Sequence, residues 1–81
     1  MNDDIKERVT RCFVNIFPNI PPQEIPRAST ASLAAWDSVA HVTLLSSIGE
    51  EFDQQFELED YADLVSYPLI VDHLESKLKN G

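Results

Sequence analysis

Four of the five prolines in this 81-residue chain fall within nine residues, at Pro18, Pro21, Pro22 and Pro26. Each one fixes its own φ, removes a backbone donor and biases the preceding residue away from the helical region. No regular helix can therefore pass through PNIPPQEIPR, and the expected conformation there is an extended, solvated loop. The chain has to fold as one element before this break and others after it. With 43% hydrophobic and 25% charged residues and only two glycines, neither disorder nor a fibrous architecture is supported. Residues 1–81 suffice for a single domain with one modest core, and are too few for a catalytic cleft walled by several elements.

Before the break, Ile5, Val9, Cys12, Phe13, Ile16 and Phe17 recur at the spacing of one helical face, with Asp3 and Asp4 near the start where negative charge suits the helix dipole. This predicts a first helix from about Asp3 to Phe17. After the break, Ser29 to Ala35 has room for a short helical turn, with Leu33 and Trp36 anchoring the loop on the core. Asp37 is a suitable N-cap for a second helix from Ser38 to about Asp53. At 100° per residue, His41, Leu44, Leu45, Ile48 and Phe52 gather on the face to be buried, while Val39, Val42, Ser46, Glu50 and Asp53 form an outward stripe. A short third helix is expected over Glu59 to Val65, turning Tyr61, Leu64 and Leu58 inward. Ser66, Tyr67 and Pro68 open a last helix carried by Tyr67, Ile70, Val71, Leu74 and Leu78 to about Lys79, with Asn80 and Gly81 ending it. The expected class is all-α, a four-helix bundle with a short third member and a long proline-rich loop between helices one and two.

Charge is distributed unevenly. Residues 1 to 36 hold four acids and four bases, whereas Asp37 to Ser76 hold ten acids and no Lys or Arg, so the whole net charge of -8 lies beyond Trp36. Such a surface repels phosphate backbones and anionic lipid and steers basic protein partners toward itself. Nucleic acid and membrane are not the expected ligands. One cysteine forms no internal disulfide, and no CxxC or His/Cys cluster points to metal, which favours a reducing compartment. The first twenty residues lack an uninterrupted apolar run and read as neither signal peptide nor membrane span, so a cytoplasmic location is the expectation.

Ser38 is the best placed hydroxyl for chemistry, since it follows the cap of the second helix, where amides and dipole favour an attached or bound anion. His41 lies near it on the same helix and is a conceivable general base, but no third group orients it, and a buried histidine is the simpler explanation. Cys12 reads as a small buried hydrophobe, His73 has no evident partner, and Trp36, Phe13, Phe17, Phe52 and Phe56 read as core or loop anchors. No metal or catalytic constellation emerges, so an enzyme is not expected.

The run Trp36-Asp37-Ser38-Val39-Ala40-His41-Val42-Thr43-Leu44-Leu45, followed by Ile48, Glu50, Glu51, Phe52, Asp53 and Phe56, resembles the acyl carrier protein family. Its signature is Asp-Ser-Leu at the start of the second helix, before an apolar and acidic pattern ending in acids, Phe and Asp. The resemblance covers the last 45 residues closely and the rest through helix, loop and length. It implies that Ser38, with Asp37 beside it, accepts 4'-phosphopantetheine from coenzyme A as a phosphodiester and that the terminal thiol carries acyl groups as thioesters. The implied protein is a monomeric, stand-alone, non-enzymatic carrier serving fatty acid, polyketide or a related specialised pathway. Its implied partners are a phosphopantetheinyl transferase and acyl-loading and acyl-processing enzymes with basic docking surfaces, meeting Val39, Val42, Ser46, Glu50 and Asp53. An aminoacyl or peptidyl carrier stays open because partners choose the cargo, as does an unmodified acidic interaction module in which Asp-Ser only caps a helix.

Val39 stands where the family usually has Leu, Ala40 and Gly49 where acids are common, and the segment before Asp37 lacks the usual Gly and sets Trp36 beside the cap, which points to a carrier dedicated to one pathway. Gly49 should cost about 1 kcal/mol of helix stability relative to Ala unless something packs closely against it. Because ten acids crowd a stretch without bases, added salt or divalent cations should raise the thermal unfolding midpoint at neutral pH. A midpoint indifferent to both would show that these charges are already well dispersed.

Overall fold

The computed structural model describes the backbone of residues 2–80 and the side chains of residues 4–78. The side chains of Asp3 and Lys79 and the expected stop at Gly81 lie outside the described residues. The fold is all-α: α1 (Asn2–Ile16), a 3₁₀ helix (Pro22–Arg27), α2 (Ser38–Phe52), α3 (Leu58–Asp63) and α4 (Tyr67–Asn80). No helix among the described residues is long and apolar enough to cross a membrane.

The first helix follows its periodicity. Val9, Cys12, Phe13 and Phe17 are buried, and Ile5 and Ile16 pack against them. Phe17 leaves the helix with its N–H still donating to the Phe13 carbonyl at 2.7 Å, because Pro18 behind it disfavours another helical residue.

The proline-rich segment corrects the expectation of an extended, solvated loop. Pro22 occupies the first turn of a 3₁₀ helix, where its missing N–H would have had no partner, and its fixed φ suits that geometry. Glu24 N–H donates to the Pro21 carbonyl and Ala28 N–H to the Ile25 carbonyl, both at 2.9 Å. The turn aims Ile25 and Ala28 into the core, where both are buried. Among the described residues five helical elements thus stand where four were expected.

Between this segment and α2 the chain makes hydrogen-bonded turns rather than a helix. Leu33 N–H reaches the Ser29 carbonyl at 3.0 Å, and the Ser32 N–H donates to Ser29 Oγ at 3.1 Å. Leu33 packs against the core and Trp36 is buried, as anchors should be. Ser29 also pairs with Ser66 in an isolated antiparallel bridge. Thr30 N–H donates to the Val65 carbonyl and Tyr67 N–H to the Ala28 carbonyl, both at 2.9 Å, so the connection is fastened to the start of α4.

Two leucines differ from expectation. Leu58 is 89% exposed, because Asp60 Oδ2 accepts the Glu57 N–H at 2.8 Å and starts α3 one residue early, turning Leu58 outward. Leu78 is 37% exposed, since the core has ended below Leu74 at that level of α4. The third helix also stops at Asp63 rather than Val65, with Leu64 buried just beyond it.

The end of α2 is tied to α1. Arg8 Nε lies 2.7 Å from Glu51 Oε2, Nη2 donates to the Glu51 carbonyl at 2.6 Å, and the guanidinium sits 4.3 Å from the centre of the Phe52 ring. The last turn of α2 contains no base of its own, so Arg8 supplies the cation that its dipole favours. Glu51 in turn holds the Arg8 guanidinium above its ordinary pKa through their hydrogen bond.

Beyond Phe52 the chain reverses through Asp53, which adopts φ 54° in the left-handed region. Gln54 N–H then donates back to the Gly49 carbonyl at 2.9 Å, closing the helix in the Schellman manner. This brings the Gln54 carbonyl so near that a Cβ on Gly49 would lie 2.8 Å from it, with the Phe56 ring at 3.7 Å. The glycine is thus required by a close backbone approach. Gly49→Ala should destabilise the protein by about 1–3 kcal/mol, the reverse of the usual helix-propensity gain. Asp53→Gly should stabilise it by up to about 1 kcal/mol by relieving the left-handed conformation. Urea unfolding of the two variants checks both signs.

Candidate functional site

The start of α2 is built on Asp37. With φ −89° and ψ −173° this residue stands just outside the helix, and its Oδ1 accepts the Ala40 N–H at 2.9 Å. Its carbonyl takes the His41 N–H at 2.8 Å. Ser38 is the first helical residue and is exposed, so a hydroxyl is presented where the first-turn amides point outward. A hollow of about 350 Å³ opens beside it, lined by Thr30, Trp36, Asp37, Ser38 and His41.

Trp36 fixes the approach to this cap. Its indole is 2% exposed, 5.3 Å from Phe13 in an edge-on arrangement and 6.2 Å from Phe17. The indole Nε1–H donates to His41 Nδ1 at 2.9 Å, and His41 Nε2 lies 2.6 Å from the Tyr61 carbonyl oxygen. An indole can only donate, so Nδ1 is the acceptor and Nε2 carries the proton that it donates to Tyr61. Both ring nitrogens are therefore engaged in holding structure. A buried structural histidine, the simpler of the two readings of His41, is what the structure shows, and neither nitrogen is left to act as general base to Ser38.

The outward stripe is exposed as the helical projection required. Val39 is 77% and Val42 52% exposed, and Ser46 and Glu50 also face solvent. Asp53 departs from the stripe, because it stands past the helix end in the left-handed turn rather than on the helical face. It lines a second hollow, of about 610 Å³, together with Ser46 and Glu50; Leu45, Phe56 and Tyr61 contribute its apolar part. The structure thus brings Asp37 and Ser38 together at one hollow and Ser46, Glu50 and Asp53 at another, with Val39 and Val42 lining neither.

Sequence reasoning gave Thr30 and Tyr61 no part in these hollows. Thr30 arrives from the connection and Tyr61 from α3, and neither placement leaves a mark in the periodicity of α2. Cys12 is buried, as expected, and burial pushes its thiol pKa up, which disfavours the reactive thiolate. His73 has a neighbour after all, its ring centred 5.7 Å from that of Phe56.

No family model, curated protein or solved structure matches this chain. The placement of the stripe generates a direct test. Val42→Asp should keep wild-type helicity by circular dichroism and shift stability by no more than about 0.5 kcal/mol, because the new carboxylate stays in water. Leu45→Asp, three residues along on the buried face, should abolish folding.

Proposed function

We propose that this chain is an acyl carrier domain, modified at Ser38 with 4'-phosphopantetheine, that hands thioester-bound intermediates between partner enzymes. What supports this most is the setting of Ser38: an exposed hydroxyl in the first turn of a capped helix, beside an open hollow and below an exposed apolar and acidic stripe. The resemblance of the run from Trp36 to Phe56 adds the register. The finer description of the helices as an acyl-carrier-like bundle belongs to the same proposal.

The residues present fit the group. The amides of Ser38 and Val39 have no partner within the helix and suit a phosphodiester on the Ser38 oxygen, while Asp37 already satisfies Ala40. When attached, the group supplies a terminal thiol that holds cargo as a thioester. In the loading step Ser38 Oγ bonds to phosphorus as the pyrophosphate bond of coenzyme A breaks and the nucleotide portion leaves. The serine proton passes to a base on the transferase, since the nitrogens of His41 are committed to Trp36 and Tyr61. This chain contributes presentation, and its partner contributes the chemistry.

Partner enzymes would be drawn by the acids that follow Asp37 and seated by Val39 and Val42. Burying both valines fully would contribute on the order of 2–4 kcal/mol.

Incubation with coenzyme A and a broad-specificity phosphopantetheinyl transferase should raise the intact mass by one phosphopantetheine, with Ser38→Ala remaining unmodified and folded. A wild-type chain that gains nothing would favour an unmodified acidic interaction module. An alanine variant that still gains the group would move the attachment away from Ser38.

A further inference from the structure

The two hollows on α2 lie on either side of one hydrogen bond. His41 lines the hollow beside Ser38, and Tyr61 lines the hollow between α2 and α3. The 2.6 Å contact from His41 Nε2 to the Tyr61 carbonyl joins them, and the Trp36 indole completes the line to the residue before the cap. We propose that His41 is a positioning residue that ties the Ser38 end of α2 to α3, so that Ser38 keeps the setting a transferase accepts only while α3 is docked. This rests on the modification proposed above.

The chemistry of the three groups makes the line directional. A neutral imidazole has one donor and one acceptor; here the donor is spent on Tyr61 and the acceptor on Trp36. If α3 withdraws its carbonyl, the Nε2–H is left in a buried place without a partner. The ring can follow the carbonyl only by abandoning the indole, which passes the orphaned donor to Trp36. Either way the displacement is felt at the Ser38 end of α2, at His41 itself or at the residue directly before Asp37. The element at the other end is the one best able to move: α3 has six residues, none of them buried. Trp36, by contrast, is packed against Phe13 and Phe17 of α1 and the turn behind it, and cannot yield silently.

The test uses the full chain with His41→Leu, His41→Gln and Trp36→Phe, read by amide hydrogen exchange and by the kcat and KM of transferase modification well below the unfolding temperature. His41→Leu should speed exchange at Ala40 and Val42 and at Tyr61 and Leu64 by about tenfold or more, the equivalent of ~1.4 kcal/mol, with α1 and α4 amides unchanged. It should lower kcat more than it raises KM. His41→Gln, whose amide can accept from the indole and donate to the carbonyl, should restore most of both. Trp36→Phe should loosen Ala40 and Val42, and adding it to His41→Leu should cost little more. Faster exchange at only one of the two ends in His41→Leu, a uniform rise over all helices, or no recovery with glutamine would overturn the proposal. If His41→Leu fails to fold, Trp36→Phe and His41→Gln decide by the same criteria. A wild-type chain that is never modified would defeat the functional reading alone, because the exchange pattern still decides the coupling.

Discussion

The indole of Trp36 has a large apolar body and one polar atom, and burying the first without stranding the second is the constraint that organises this molecule. The body fills the space against Phe13 and Phe17, which joins α1 to the chain entering α2. The Nε1–H needs an acceptor in a dry place, and the Nδ1 of His41 provides one. That demand fixes the histidine tautomer, which turns Nε2–H toward Tyr61 and brings α3 to α2. A single donor thus relates α1, α2, α3 and the proline-rich connection. Phenylalanine at this position would fill most of the volume and say nothing about where α3 belongs.

The electrostatic arrangement has a similar economy. All of the net negative charge lies beyond Trp36, and the balanced stretch before it lends one cation where it matters most. Arg8 reaches across from α1 to the Glu51 carboxylate and carbonyl and covers the Phe52 ring. The pair is exposed enough that its Coulomb energy alone is modest. Its value lies in doing three things at one helix end: neutralising an acid, capping a carbonyl and covering an aromatic face.

Much of this was legible in the residues, because the informative signals were local. The 3.6-residue period placed the buried and open faces of α1 and α2, Asp37 marked the start of α2, and the exposure of Val39 and Val42 follows from the same projection. Where the reading failed, capping bonds and main-chain contacts that leave no periodic signal decided the outcome. Pro22 and Pro26 do forbid an α-helix, yet they tolerate a 3₁₀ turn, and the core needed Ile25. Leu58 looked like a core residue until the Glu57–Asp60 cap rotated it outward. Asp53 continued the α2 stripe on paper, but the close approach of Gln54 to Gly49 ended the helix before it. The role of His41 was hidden for the same reason: its acceptor is a main-chain oxygen, which has no signature in the sequence.

The bridge between Ser29 and Ser66 bears on the order in which the molecule takes shape. The proline-rich connection is synthesised directly behind α1 and ahead of α2 to α4, but two of the main-chain bonds that hold its far end wait for Val65 and Tyr67. Until that later stretch has been made, the Thr30 N–H and the Ala28 carbonyl have only water for partners, and Ile25 has only part of its pocket. Local stiffness from the prolines keeps the waiting segment from wandering far, which lowers the entropy lost when the loop finally closes. The same residues that interrupt the helix therefore shorten the search by which α4 finds the 3₁₀ turn.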